Sequence, residues 1–341
     1  MKPILIALPF TLLVASHVAA DDKPAQHSSG RALPKMPAVT RPVAFDTPEA
    51  DRILEALQVF PADNPWNQDI SAWPVHPNSA RIIASIGAAK PLRYNTDMSF
   101  VLVPGDQKKI DVRIAATEES DKGPFPVPDA MPIEGWPASY KRSAKLRGLT
   151  FDDMQRDRRN ERSDRHAIVV DPVNRMLYEF YQARKTDQGW QAAQESVFDL
   201  KSNKLRPEGW TSADAAGLPI FPAIVRFDEL KRGMVEHAMR VTVARTRRAY
   251  VAPARHYASR LKDENLPRMG ERLRLKKDYD VSSFSAPVQA ILKGLKKYGM
   301  FVADNGMDWA ISVAPDERIP ELHEELRRVK VSSFEVAHKP E

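Results

Sequence analysis

An arginine, a histidine and a tyrosine stand side by side in the sequence PARHYAS, at residues 253–259. Arg255 can neutralise a carboxylate on a ligand, and His256 or Tyr257 can donate or accept a proton. The segment follows a predicted strand that ends at Val251, so we expect it to be a loop. The pattern is typical of an acid–base site for an anionic substrate, and equally of a loop held by its own hydrogen bonds.

A second histidine lies in the sequence EHAMR, at residues 236–240. If these residues form a strand, His237 and Met239 share one face, and Arg240 lies on the other, because side chains alternate along a strand. His237 and Arg240 can therefore line one groove only if the strand is bulged. The alternative is an ordinary strand with one polar face and one core face.

Two aspartates are candidate carboxylate partners for these histidines. Asp214 lies among small residues and prolines in RPEGWTSADAAGLPIFPAIVRF, residues 206–227, which also contains Trp210. Asp304 begins the turn signal DNG between two predicted strands, and Trp309 follows it. Aromatic faces can pack against sugar rings, so both tryptophans are candidate platforms, although each also suits the edge of a core.

Two further patterns place polar residues on predicted strands. Arg272, Arg274 and Lys276 alternate with leucines and would project from one strand face. Such a row of cations can hold a polyanion, or it can be an ordinary solvated face. His166 opens the predicted strand HAIVVDP and can act there as a base or as a structural hydrogen-bond donor.

These patterns define one set of predicted site residues. The predicted catalytic residues are His237, His256, Asp214 and Asp304. The predicted substrate-binding residues are Arg255, Arg240, Arg274, Tyr257, Trp210 and Trp309. No metal site and no cofactor are predicted, because the sequence has no HExxH motif, no P-loop and no Cys/His zinc spacing, and it has no GxSxG elbow either.

The composition narrows the class of protein. The chain has 341 residues, 43% of them hydrophobic, a formal net charge of +6 and no cysteine. The lack of cysteine excludes thiol nucleophiles, thiolate metal sites and disulfides. The excess of positive charge is small for this length, so no nucleic-acid partner is predicted, whereas a polysaccharide or other anionic glycan is compatible with it.

The N-terminal residues predict export. Residues 1–20 combine a lysine, an apolar run and small residues at the end, as a secretory signal peptide does. The run is too short to span a membrane, so we predict a secreted or periplasmic protein with no stable membrane insertion after cleavage. Residues 21–46, rich in proline, serine, alanine and basic residues, predict a flexible linker.

Strand signals dominate residues 47–338, which are predicted to form a single β-rich domain. Short apolar or alternating runs occur at residues 100–103, 109–115 and 238–243, with proline and glycine between many such runs. One helix is predicted after Thr47 and another at residues 285–299. The pattern predicts a mainly β fold, a single-domain β-sandwich of jelly-roll or lectin-like type with a few peripheral helices.

Several long motifs, among them GWTSADAAGLPIFP, HAMRVTV, PARHYAS and YGMFVADNG, resemble a family of uncharacterised exported proteins of soil bacteria and fungi. The resemblance covers nearly all of the chain after the predicted linker. It implies a shared fold and a life outside the cytoplasm, but no activity and no catalytic residue. The chain departs from the family around Asp97, where NTDMSF replaces a His-Xaa-Asp-Phe-Gly-like stretch, and at Ala223, where glycine is expected.

Three functions are compatible with these features. The leading hypothesis is an exported polysaccharide-active enzyme, a lyase or hydrolase whose substrates include acidic glycans. The alternative is a non-catalytic glycan- or envelope-binding protein, and the third is a structural envelope protein. Convergence of the four predicted catalytic residues in one cleft would favour the enzyme.

Overall fold

The structure is a computed structural model that describes residues 26–157 and 163–340. It has a mixed α/β fold, with 22% of residues in strands and 19% in helices. The strands are β1 (Val43–Ala44), β2 (Arg93–Thr96), β3 (Phe100–Leu102), β4 (Val112–Ile114), β5 (Ala167–Asp171), β6 (Met176–Tyr181), β7 (Arg184–Thr186), β8 (Gly189–Ala192), β9 (Gln194–Asp199), β10 (Met239–Val243), β11 (Arg272–Leu275), β12 (Met300–Asn305), β13 (Ala310–Val313) and β14 (Phe334–Val336). The α-helices are α1 (Pro48–Ala56), α2 (Ser79–Ile86), α3 (Ala138–Arg142), α4 (Phe151–Arg156), α5 (Phe227–Arg232), α6 (Ala286–Lys297) and α7 (His323–Leu326). Short 3₁₀ turns lie at Thr117–Glu119, Phe221–Ala223 and Val331–Ser333.

The strands form three open sheets, each with parallel and antiparallel neighbours. The orders are β1-β3-β5-β6-β9 in the five-stranded sheet, β14-β11-β12-β10-β13-β2 in the six-stranded sheet and β4-β8-β7 in the small sheet. Within the described residues, none of these sheets closes into a barrel. The prediction of a mainly β chain is thus corrected to a mixed α/β fold, and a jelly-roll or lectin-like sandwich is not shown.

The five-stranded sheet is buried on both faces. In β5, Ile168 and Val170 belong to the larger hydrophobic core, which also contains the apolar side chains of the six-stranded sheet. Ala167 and Val169, which alternate with them, belong to a second core together with side chains next to the small sheet. This double burial explains why the strand is continuously apolar in sequence.

The two predicted helices are confirmed as α1, which begins directly after Thr47, and α6, which lies within residues 285–299. Thr47 caps α1, its hydroxyl accepting from the Ala50 N–H at 3.2 Å. Helix α6 packs closely on β10, because a Cβ at Gly294 would lie 2.7 Å from the Val235 carbonyl oxygen and 3.0 Å from Met239. None of the helices in the described residues is long and apolar enough to cross a membrane.

The described part of the predicted linker is packed against the fold. Val43 and Phe45 are buried, and Val43 pairs with Leu102 of β3 in an antiparallel bridge. Further towards the N-terminus, the Ser29 hydroxyl donates to Glu236 at 2.9 Å. A few well-placed apolar residues therefore anchor a segment whose average composition is that of a linker. The predicted signal peptide, residues 1–20, lies outside the described residues.

Candidate functional site

The segment at residues 212–224 lies between the five-stranded and six-stranded sheets and binds both. On one side, the Ala216 N–H donates to the Ala303 carbonyl of β12 at 2.9 Å. On the other side, the N–H groups of Phe221 and the residue before it donate to the Glu179 carboxylate of β6 at 2.8–2.9 Å. The segment thus connects the sheets through its backbone and brings its own side chains between them.

Asp214, in this segment, forms a buried ion pair with Arg240 of β10. Both of its carboxylate oxygens accept from the guanidinium, from Nε and Nη2, at 2.7 Å, and Arg240 Nη1 donates to the Ser312 hydroxyl at 2.7 Å. Burial by itself would lower the pKa of Arg240, but the charge and hydrogen bonds of Asp214 raise it. The guanidinium is therefore permanently charged and held in one orientation.

His166 forms a second ion pair, with Glu134. Its Nδ1 lies 3.2 Å from Glu134 Oε2, and its Nε2 lies 2.8 Å from the Ala213 carbonyl oxygen, so acceptors face both ring nitrogens. Burial alone would lower the pKa of His166, but the hydrogen bond and charge of Glu134 raise it to about 9. Burial would likewise raise the pKa of Glu134, but His166 lowers it. Both groups are charged at neutral pH.

Two further carboxyl groups, those of Asp97 and Asp304, are influenced by both ion pairs. Burial comes first among the causes that raise the pKa of each to about 7, followed by the charge of Glu134 for Asp97 and of Asp214 for Asp304. The positive charges of Arg240 and His166 limit both shifts. We call the following six residues the central cluster: Asp97, Glu134, His166, Asp214, Arg240 and Asp304.

The members of the central cluster differ in burial. Asp97, Glu134 and Asp304 are half-buried, whereas the other three members are buried. Asp97 Oδ1 has no hydrogen-bond partner among the described residues, although this atom is itself buried. The two carboxyls with a raised pKa are thus less buried than Asp214, Arg240 and His166.

This arrangement suits proton transfer. At neutral pH, each carboxyl with a pKa of about 7 is divided between its protonated and ionised forms. One protonated and one ionised carboxyl can serve as general acid and general base in the same reaction. Among the described residues, no group of three or more His, Asp or Glu side chains is arranged to hold a metal ion.

His237 lies outside the central cluster, in an ion-pair network with α5. Its Nε2 is 3.1 Å from Glu229 Oε2, and its Nδ1 is 2.8 Å from the Ala238 carbonyl oxygen. Burial would raise the pKa of Glu229, but the charges of Arg226 and His237 lower it. His237 therefore faces α5 while Arg240 faces Asp214, so the predicted pairing of His237 with Asp214 does not occur.

His256 approaches the same segment but not its carboxylate. Its Nδ1 lies 2.8 Å from the Ala215 carbonyl oxygen, whereas both oxygens of Asp214 are bonded to Arg240. The Arg255 guanidinium is 3.2 Å from Glu208. Of the four predicted catalytic residues, the structure thus brings together the two aspartates, and it separates the two histidines from them.

Of the predicted row of cations, the two arginines on β11 do not face solvent, whereas Lys276, just after the strand, is exposed. Arg274 is 7% exposed, and its Nε donates to Glu335 at 2.8 Å. Arg272 is 5% exposed and stacks on Phe301. The alternation of basic and apolar residues is real, but both faces of this strand are covered, so the sequence could not distinguish a buried arginine face from a solvated one.

The predicted aromatic platforms differ in exposure. Trp309 is 0% exposed and packs edge-on against Phe334, with ring centroids 5.0 Å apart, so its indole cannot stack on a sugar. Trp210 is half-buried, and the Arg206 guanidinium lies 5.4 Å from its ring centroid. Tyr257 is also half-buried. Trp210 and Tyr257 remain available as predicted contacts.

Three acidic residues around the site were not among the predicted site residues. Glu179 could have been found, because one charged residue inside the apolar strand sequence MLYEFY requires an internal partner. Glu134 lies in an irregular loop that carries no periodic signal. Asp97 joins the central cluster because it connects β2 and β3, which belong to different sheets, and no local pattern shows that.

Comparison with protein-family models, curated proteins and solved structures gives no match for this chain. The resemblance of its motifs to a family of exported proteins of soil bacteria and fungi therefore stays a prediction. The function has to be inferred from the geometry and charge of the central cluster.

Proposed function

We propose that this protein is an exported hydrolase of glycosidic bonds, with Asp97 and Asp304 as its acid and base. The observation that carries the proposal is a pair of half-buried carboxyls grouped with two ion pairs, surroundings in which burial raises the pKa of each carboxyl to about 7. Glycosidases commonly cleave with two carboxyl groups, one protonated and one ionised.

The ion pairs have a supporting role in this mechanism. When one aspartate gives its proton to the leaving oxygen, the charges of Arg240 and His166 stabilise the carboxylate that forms. The other aspartate, already ionised, takes a proton from water or attacks the sugar. Because Glu134 and Asp214 are bonded to the cations, they hold these cations in place and do not compete for the proton.

Hydrolysis fits the site better than elimination does. A lyase acting on a uronate needs a cation that is free to neutralise the carboxylate of the substrate. Arg240 and His166 are each already bonded to a carboxylate, and the three half-buried members of the central cluster are all acidic. We therefore propose neutral glycans as substrates rather than the acidic glycans that the basic residues suggested in sequence.

The export of the protein and a β-sandwich architecture are both predictions within this proposal. The signal sequence supports a secreted or periplasmic location, where polysaccharides are the abundant substrates. A β-sandwich of jelly-roll or lectin-like type is the architecture that the strand pattern predicts, and the proposed chemistry does not depend on it.

The test is a polysaccharide panel with purified protein. We expect reducing ends to appear with one or more neutral glycans, and Asp97→Asn and Asp304→Asn each to lower kcat by about 100-fold or more, as loss of an acid or base does. The exposed Asp278 provides the matched control, and Asp278→Asn should leave kcat unchanged.

Two outcomes would contradict the proposal. One is full activity in both the Asp97→Asn and the Asp304→Asn variants, provided that circular dichroism shows them folded. The other is release of unsaturated ends from a uronate polymer, which would identify a lyase instead.

A row of aromatic rings supports the alternative, a non-catalytic glycan-binding protein. The rings of His256 and Tyr257 are nearly parallel, at 5° with centroids 5.8 Å apart, and Tyr250 lies 6.3 Å beyond at 21°. All three are half-buried, and the Arg248 guanidinium covers part of the Tyr257 ring. Under this alternative, Tyr257→Ala and Trp210→Ala weaken glycan binding in a protein that shows no turnover.

A further inference from the structure

A cavity of about 510 Å³ borders β11 and β12 of the six-stranded sheet and shares no lining residue with the central cluster. Its wall is mostly apolar and includes Trp73, Leu205, Pro253 and Phe301. The volume is within the range of sites that hold small organic ligands. Arg272 of β11 also lines it and supplies a positive charge.

Arg272 has no carboxylate partner among the described residues. The other buried arginines there each form an ion pair with an acidic residue: Arg165, Arg206, Arg226, Arg240 and Arg274. Burial, with no acidic group to oppose it, lowers the pKa of Arg272 to about 9, so it still carries its charge at neutral pH. A buried charge without a counter-ion is costly, and a bound anion would remove that cost.

Backbone carbonyls satisfy most of the Arg272 hydrogen bonds but not its charge. Nε and Nη2 donate to the Tyr298 carbonyl at 2.9 and 2.5 Å, Nη1 donates to the Pro65 carbonyl at 2.6 Å, and Nη2 reaches the Gln68 carbonyl at 3.5 Å. A guanidinium has five N–H hydrogens, so one on Nη1 is left over. Carbonyl oxygens carry only partial negative charge.

The acidic residues at the cavity are already engaged. Glu271 accepts from Arg268 at 2.8 and 3.0 Å, and Asp63 accepts from the Asn203 amide at 2.9 Å. Neither forms an ion pair with Arg272. The two acidic residues are outnumbered by the three cations that line the cavity, Arg268, Arg272 and Lys339, so its net charge is positive.

The aromatic rings that line the cavity indicate the chemical class of the uncharged part of the ligand. Arg272 stacks on Phe301, with its guanidinium carbon 4.1 Å from the ring centroid, and Trp73 is half-buried with part of its surface free. We propose that this cavity binds an aromatic carboxylate, whose ring packs against Trp73 and whose carboxylate pairs with Arg272. This site does not depend on the proposed glycosidase activity.

The probes are 2-naphthoate and its neutral analogue 2-naphthamide, measured by isothermal titration calorimetry on the whole protein. We expect naphthoate to bind at least 10-fold more tightly than naphthamide, because only the carboxylate balances the charge of Arg272. Arg272→Met should remove this preference and leave naphthamide binding unchanged. Trp73→Ala should weaken the binding of both probes.

Arg328→Met is the matched control. Arg328 also stacks on a phenylalanine, Phe284, at 4.2 Å, but it is exposed and does not line the cavity, so its loss should change neither affinity. Equal affinity for the two probes would overturn the proposal, as would naphthoate binding that Trp73→Ala leaves intact. Tighter binding of octanoate than of naphthoate would overturn the aromatic class. If Arg272→Met does not fold, the comparison of the two probes and the Trp73→Ala variant still decide.

Discussion

At the scale of single residues, the charge state of a titratable side chain depends more on its hydrogen-bond and ion-pair partners than on its residue type. His166 and His27 are both largely buried histidines, yet the pKa of His166 rises to about 9, whereas burial lowers that of His27 to about 4. His166 makes a hydrogen bond to a carboxylate that outweighs its burial. The side chain that matters for His166 is therefore Glu134, which sequence patterns did not single out.

A single substitution tests this dependence. In Glu134→Gln, the pKa of His166 should fall well below its value of about 9, because the carboxylate whose hydrogen bond and charge oppose burial is then absent. A titration followed by NMR of the imidazole ring measures the change. His76 serves as the control, because its lowered pKa depends on burial and on Glu271 and Arg268, and not on Glu134. An unchanged titration of His166 would show that Glu134 does not set its charge.

At the scale of elements, the sequence predicts strands far better than it predicts sheets. The runs at residues 100–103 and 238–243 are confirmed as β3 and β10. Their neighbours could not be predicted, because β2, β10, β12 and β13 are brought together from distant parts of the chain. The same reason applies to the site. Local signals predict Asp214 and Asp304 as candidates, but they do not show that Arg240, predicted to bind substrate, forms an ion pair with Asp214.

The segment at residues 212–224 is the element on which both sheets depend, and one glycine makes its path possible. Gly217 has a φ of +71°, and a Cβ there would lie 2.5 Å from the Trp210 carbonyl oxygen. Gly217→Ala should lower the free energy of unfolding by about 2 kcal/mol or more, from backbone strain plus this clash. Chemical denaturation monitored by fluorescence measures the loss.

Gly209→Ala is a matched control for this prediction. Gly209 also has a positive φ, +82°, but no atom lies within 4 Å of the position of its Cβ. We expect a loss of only about 1 kcal/mol there, the cost of a left-handed alanine. Equal losses in the two variants would show that close packing at Gly217 is unimportant.

At the scale of the whole molecule, buried acids make stability depend on pH in the neutral range. The pKa values of Asp97, Asp304 and Glu179 are raised to about 7, and that of Glu195 to about 9, first of all by burial. The folded chain holds these protons when the unfolded chain has released them, so the free energy of unfolding falls as pH rises. The contribution of His166 has the same sign above pH 6.5, because it is lost as pH rises through about 9.

We therefore expect the protein to lose about 2 kcal/mol or more of unfolding free energy between pH 6.5 and 9, the order expected for one proton over two pH units. His27 does not oppose this change, because its lowered pKa costs stability only below pH 6.5. Denaturation at a series of pH values measures the slope. Glu195→Gln should reduce it and the exposed Glu118→Gln should not, whereas a flat or rising profile would contradict the assignment.

The segment at residues 212–224 also determines how the central cluster is lost when the protein unfolds. The central cluster takes Arg240 and Asp304 from one sheet, His166 from the start of a strand in the other, and Asp214 from the connection between them. No fragment that contains one sheet alone possesses a usable set of groups. If the proposed hydrolysis takes place at the central cluster, turnover should disappear in step with global unfolding, without a partly active intermediate, and the chain should not divide into two separately functional halves.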